Sequence, residues 1–238
     1  MSELVSPSGN PILRHGEAAQ WEAAGGDSSE PRISEHIQAH LGPVDVVFHE
    51  LVSDAVHIDV HVVRPGPASS FVRLVTSGMS DRPMNVPADA GAPRHLELMV
   101  TLPAGWRLTQ EDLKDERWYW PIRMLKFLAR LPHKYDTWLG FGHTVPNGDP
   151  PEPYAPGTGL AGAIILPPIT LPEDFQILRV DPAKEIHFMS VIPLYPQEMD
   201  LKLRSGTQKL LEKFDKAGFS DLIDPARTNV ARKRFGFF

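Results

Sequence analysis

The chain has 238 residues, 42% of them hydrophobic and 23% charged, with a formal net charge of −6 and no cysteine. That length carries a sizeable core, and the lack of thiols excludes disulfides, thiolate catalysis and cysteine-bound zinc. The acidic balance argues against a general nucleic-acid binder, so no direct nucleic-acid contact is expected. Residues 1–31 are rich in Ser, Gly, Glu and Ala and are expected to form a flexible arm, with one helical turn at 18–24. Ordered structure is expected from Ile33, with Ser34 capping a short helix that Gly42-Pro43 ends. Strands are predicted over 44–51 and 56–64, around a Ser53-Asp54 turn. In the second of these, Val56, Ile58, Val60 and Val62 share one face, and His57, Asp59 and His61 the other.

Further strands are predicted over 71–76 and 95–102, separated by a Pro/Ala/Gly loop at 83–93. One helical turn is expected at 109–113. Trp120-Pro121 then opens a helix, since proline suits a first turn. Its buried face is Ile122, Leu125, Leu128 and Ala129, and Pro132 is expected to stop it. Residues 142–159 hold so much Gly, Pro and Asn that they read as an ordered loop or flap. Strands at 160–166, 175–180 and 186–193 follow, then a helix over 198–216 with Met199, Leu203, Leu210 and Phe214 buried and Gly206 a weak point. The tail, 231–238, is basic and then aromatic. The pattern predicts an α+β fold: a central mixed, mostly antiparallel sheet flanked by helices, in one domain over 32–230. The strands on either side of the Trp-Pro helix are candidates for parallel neighbours. No apolar stretch approaches the roughly 20 residues a membrane span requires, and the N-terminus has no apolar signal region. A cytoplasmic protein without a membrane partner is expected.

Five groups of residues invite a chemical reading. His57, Asp59 and His61, with His49 nearby, have donor types that suit zinc or a similar ion, set against the simpler reading of a solvated polar strand face. His36 and His40 are four apart on a short helix but lack a His-Glu-x-x-His pattern. The run from Thr76 to Ser80 follows a strand, as a nucleophile elbow would, yet is not Gly-x-Ser-x-Gly and no helix follows it; hydroxyls bonding their own backbone explain it better. The Gly140-Phe141-Gly142-His143 and Gly157-Thr158-Gly159 segments lack what a phosphate cradle needs. Trp118, Tyr119 and Trp120 are expected to anchor their helix, with the alternative that one lines a partner groove.

The ordered series Gly78-Met79-Ser80-Asp81, Glu97-Leu98-Met99-Val100-Thr101-Leu102-Pro103, Trp120-Pro121, Leu128-Ala129-Arg130 and Gly142-His143 resembles the suppressor of fused family. His49-Glu50-Leu51-Val52-Ser53-Asp54 and His57-Ile58-Asp59-Val60 resemble its bacterial single-domain branch. The resemblance spans 33–229. It implies a mixed sheet flanked by helices and a protein-binding role. In animals the protein of this name restrains zinc-finger transcription factors and holds a short peptide as an added strand between two lobes. At 238 residues, a second lobe is not expected in this chain. It has Phe141-Gly142-His143 where the animal proteins have Gly-Asp-His, and Leu131 where they have tyrosine. Bacterial members have been proposed to neutralise secreted toxins, often nucleases.

The leading expectation is therefore a non-enzymatic interaction module without cofactors, an immunity protein for a basic toxin being its finer form. Its partner surface is expected at Ser77, Ser80, Asp81, Trp120 and His143, beside the 142–159 flap. The alternative is a metal-dependent hydrolase using His49, His57, Asp59 and His61. A third reading is a scaffold that self-associates through the aromatic tail at 235–238.

Overall fold

The computed structural model describes residues 4–14, 28–49, 56–67 and 69–232. In chain order the elements are β1 (Leu4–Val5), β2 (Pro11–Ile12), α1 (Glu30–Leu41), β3 (Val44–Phe48), β4 (Asp59–Val63), β5 (Val72–Ser77), β6 (Leu96–Leu102), α2 (Glu116–Lys134), β7 (Thr144–Pro146), β8 (Gly162–Leu166), β9 (Ile177–Asp181), β10 (Lys184–Leu194), α3 (Pro196–Ser205) and α4 (Thr207–Lys216). β1 and β2 form a small antiparallel hairpin. The other eight strands form one sheet in the order β3-β4-β5-β6-β10-β8-β7, with β9 also pairing β10. β10 is long enough to pair with β9 along its first half and β8 along its second. Among the described strands, only the β6–β10 pairing is parallel. The α+β class with a mixed, mostly antiparallel sheet therefore stands. Among the described residues, no helix is long and apolar enough to cross a membrane.

Both faces of the sheet are covered. On one, Trp120, Leu125 and Leu128 of α2 pack over Val60, Leu74, Leu98 and Val100. On the other, Ile33 and Ile37 of α1 meet Val75, Met99, Phe175 and Phe188. α3 and α4 close a third cluster, in which Met199, Leu210 and Phe214 join Ile164, Ile192 and Leu194. Double covering leaves β4, β5 and β6 buried along their whole length, as for any strand enclosed by helices on both sides. It also overturns the solvated polar face expected for β4: His61 is fully buried and Asp59 nearly so.

Several boundaries differ from the sequence reading. α1 starts at Glu30 rather than after Ser34, because Pro31 sits in its first turn and Ser29 takes the N-cap position. α2 begins at Glu116, a turn before Trp120-Pro121, where the Asp115 side chain accepts the Arg117 N–H at 2.9 Å. Pro132 does not stop α2. It lies in the last turn, where it forfeits one helical hydrogen bond, and the turn still closes through Tyr135 N to Leu131 O (3.1 Å) and Thr137 N to Pro132 O (2.8 Å). Gly206, with φ 84 and ψ 165, does more than weaken the last helix: it divides α3 from α4. The parallel partner of β6 is β10, not the strand directly after α2. Within the stretch read as a loose arm, the β1–β2 hairpin docks on α3, Ser8 N donating to Leu203 O at 3.1 Å. The expected turns at 18–24 and Ser53-Asp54, and the tail from Lys233, lie outside the described residues.

One glycine dictates how β5 ends. Gly78 has φ 101, and a Cβ there would overlap the His57 carbonyl oxygen, a backbone atom that cannot swing away. Gly157 has φ 88 with nothing near it. Gly157→Ala should then cost only about 1 kcal/mol, the conformational penalty alone, and Gly78→Ala more than about 3 kcal/mol. Urea denaturation of both variants measures the gap, and equal costs would contradict the packing described.

Candidate functional site at the polar end of the sheet

The C-terminal end of β5, the N-terminal ends of β4 and β6 and the start of α1 converge on one polar cluster. Its centre is Glu97, wholly buried in the otherwise mostly apolar strand Leu96–Leu102. The β5–β6 ladder is in register as far as Val75–Met99. Beyond that pair the Thr76 hydroxyl steps in, accepting Leu98 N at 2.8 Å and donating to Glu97 Oε2 at 2.6 Å. Glu97 Oε1 accepts both the backbone N–H (2.9 Å) and the hydroxyl (2.7 Å) of Ser80. Burial nonetheless pushes the Glu97 carboxyl up to about 7, against the opposing pull of the Thr76 and Ser80 hydrogen bonds, with the Asp81 charge adding to the rise.

The turn that Glu97 holds, Gly78 to Asp81, is tied from every side. His95 Nδ1 donates to Ser80 O and His133 Nε2, from α2, to Met79 O, both at 2.8 Å. Burial lowers the pKa of both imidazoles, partly opposed by these same bonds. Asp81 Oδ1 accepts Ser29 N at 2.8 Å, supplying the cap of α1 that the Ser29 side chain does not. Lys184 Nζ donates to Ser29 Oγ at 2.7 Å, which ties β10 to the same junction.

Next to this turn lie the histidines of β4 and its flanks. His61 Nε2 sits 2.9 Å from Ser77 Oγ and 3.8 Å from Glu30 Oε1. Among the described residues, its Nδ1 has no partner. Burial depresses its pKa to about 4, the Asp59 charge opposing and His49 adding to the fall. A histidine beside a serine invites a nucleophile reading, but His61 and Ser77 are both fully enclosed and no carboxylate orients Nδ1. Asp59 accepts two imidazoles, His49 Nδ1 on Oδ2 and His57 Nε2 on Oδ1, each at 2.9 Å. These three are the described residues able to hold a metal ion together. The four-residue set expected from sequence thus reduces to His49, His57 and Asp59, with His61 turned to Ser77 instead.

The five residues expected to face a partner do not form one surface. Ser77 and Ser80 are buried, their hydroxyls committed to His61 and Glu97. Trp120 is buried, stacked on Tyr154 at 5.2 Å and edge-on to Trp106 at 6.2 Å. Asp81 is partly exposed while capping α1. His143, just before β7, is half-buried against Trp138 at 4.2 Å. Burial, and then the charge of Lys202, lowers its pKa to about 4. Sequence reasoning assigned no role to His95 or His133, placed Glu97 only in the motif series, and expected the Thr76 hydroxyl to bond its own backbone rather than Glu97. A glutamate inside an apolar strand was the one visible signal, because a buried carboxyl requires donors.

A family model for suppressor of fused protein matches residues 54–228, more than half of the chain. A protein described as a suppressor of fused homolog from Neisseria gonorrhoeae FA 1090 has the same fold, with TM-score 0.63 and 18% identity over 85% of this chain and 97% of that one. The Sufu–Fu complex crystal structure contains a chain similar at TM-score 0.58 and 13% identity, over 85% of this chain and 92% of that one. No curated protein matches by sequence. At these identities the likeness speaks for the fold.

The Glu97 carboxyl keeps its proton to about pH 7 in the folded chain, against an ordinary value of 4.5. The folded state is therefore favoured by this group below about 4.5, and that advantage disappears as pH rises through 7. The loss is on the order of 3 kcal/mol. Glu97→Gln cannot ionise, so its stability relative to the parent should improve by that order between pH 4.5 and 7.5, as urea denaturation across the range would measure. A pH-independent difference would show that Glu97 ionises normally.

Proposed function

The chain belongs to the suppressor of fused family, and from that premise we propose that it is a non-enzymatic module that binds another protein. The observation that carries this reading is the loop between β7 and β8, which projects into solvent yet is held in shape. Asn147 and Glu152 bond each other, Glu152 N to Asn147 O at 2.8 Å and Asn147 Nδ2 to Glu152 O at 2.7 Å. Tyr154 stacks on Trp120, and Arg123 Nη2 donates to Tyr154 O at 2.8 Å. Pro150, Pro151 and Pro153 form the exposed rim. A loop fixed in advance loses little conformational freedom when a partner meets it. Just before β7, Phe141 is 58% exposed between Gly140 and Gly142. An aromatic presented this way is the residue type that dominates interface energetics.

In this reading Trp120 supports the loop from beneath through Tyr154, and Trp138, packed on His143 at 4.2 Å, lies against Gly140 next to Phe141. Asp81 caps α1 at the Gly78–Asp81 turn, whose shape Ser77 and Ser80 hold. Pro146 removes an N–H from β7, so side-chain contacts are favoured there over the added-strand mode that the family resemblance implies. The net charge of −6 suits a basic partner. A toxin of the nuclease kind is the finer form of the proposal, and it rests on that charge and the bacterial resemblance. The similar chain in the Sufu–Fu complex supports protein binding as the family's mode of action.

The test is capture from native lysate with the full chain as bait, parent against Phe141→Ser. One stoichiometric protein should be retained by the parent and bound at least roughly tenfold more weakly by the variant. No stoichiometric protein under several growth conditions, or equal retention by both baits, would overturn the proposal.

A further inference from the structure

We infer that His49, His57 and Asp59 form a binding site for a divalent transition metal of the zinc class. The sheet itself brings them together. Phe48 pairs with Val60, so one step further along the ladder His49 lies opposite Asp59. His57 precedes Asp59 by two residues, which places both side chains on the same side of the extended chain. The His57 backbone is held by its close approach to Gly78. Three donors from two chain segments therefore meet as a consequence of strand register, and their ligand atoms all lie within 4.8 Å of one another.

The donor chemistry selects the ion. Two imidazole nitrogens and one carboxylate suit zinc and its neighbours, whereas calcium and magnesium require oxygen. A tetrahedral zinc with bonds of about 2.0–2.1 Å sets its ligand atoms roughly 3.3 Å apart. The two imidazoles stand 2.9 Å from different Asp59 oxygens, and one ligand atom from each residue lies within 4.8 Å of the others, so side-chain rotation of the exposed imidazoles has to draw the set together around the ion. The Asp59 side chain is 8% exposed, while those of His49 and His57 are 63% and 55% exposed. A near-buried carboxylate thus anchors two imidazoles that are free to adjust and accessible to an ion arriving from solvent. Three protein ligands leave a fourth position for water or for a donor from another molecule.

Neighbouring groups set limits on the site. His61 is committed to Ser77 and faces Glu30 of α1, so it does not contribute a ligand. Lys126 of α2 lies within electrostatic range of Asp59 and competes with a cation for it. The expected affinity is therefore weaker than that of four-ligand structural sites, in roughly the micromolar range. The other close imidazole pair, His36 and His40, stands 4.5 Å apart by ring centroids. There His36 Nε2 is occupied by Phe175 O at 2.9 Å.

The experiment is calorimetric titration of the untagged full chain with zinc chloride, paralleled by visible spectroscopy with cobalt. Saturable one-to-one binding is expected, with cobalt bands of a low-coordinate, sulfur-free site. His49→Ala and His57→Ala should each weaken it at least roughly tenfold, and His40→Ala should leave it unchanged. Because His49 is exposed, its variant keeps the fold, and it decides the matter if His57→Ala does not fold. Absence of saturable binding up to about 1 mM zinc, or binding unaffected by His49→Ala, would overturn the assignment. Either result leaves the protein-binding proposal to its own test.

Discussion

A single buried carboxyl organises the polar end of this fold. Glu97 stands where α1, β4, β5, β6 and the C-terminal end of α2 converge, and the Thr76 and Ser80 hydroxyls are both turned toward it. Burying that group without donors would cost several kcal/mol. With three donors it fixes the Gly78–Asp81 turn instead, and the turn fixes its neighbours: Asp81 caps α1, Met79 O receives His133, and Ser80 O receives His95. Gly78 completes the arrangement by letting the His57 backbone pass closely, which in turn places His57 beside Asp59. Fold, capping and the imidazole cluster thus share one set of contacts.

An ion pair, Glu198 with Arg227, does the equivalent work towards the other end of the chain. Arg227 meets both Glu198 oxygens, at 2.7 and 2.5 Å, while its guanidinium lies over Tyr195, Phe214 and Phe219. Val230 N also donates to Glu198 Oε1, at 3.0 Å. The segment after α4 is therefore strapped across the end of β10 by charge and aromatic surface together. Both devices are structural. The surface proposed for a partner is the outward-facing loop between β7 and β8, with Phe141.

Much of this was legible in the sequence, for identifiable reasons. Alternating Val and Ile marked β4, Gly42 marked the end of α1, and the apolar spacing of Ile122, Leu125 and Leu128 marked the buried face of α2. The motif residues Gly78, Ser80, Asp81 and Glu97 were visible as a series but not as a network, because their contacts depend on strand register and on a helix some fifty residues earlier in the chain, at Ser29. The polar face of β4 was misjudged because alternation cannot reveal whether a helix covers the second face; α1 does, so His61 is enclosed. The Pro121 and Pro132 boundaries failed because propensity at a proline is weak evidence against a helix whose other residues are buried. Trp120, expected both to anchor its helix together with Trp118 and Tyr119 and to face a partner, is buried as an anchor. What it anchors, the loop through Tyr154, was beyond any local pattern.

The central claim is that the carboxyl of Glu97 is enclosed and holds the turn in place. It is tested most directly by following the side-chain carboxyl carbon of Glu97 by NMR as pH is changed, with Glu97→Gln identifying the resonance. A midpoint near 7 is predicted, in the folded chain and with its unfolding midpoint unaltered by the labelling. A midpoint near the ordinary 4.5 would mean that water reaches the carboxyl, and would contradict the account given of the turn and of everything attached to it.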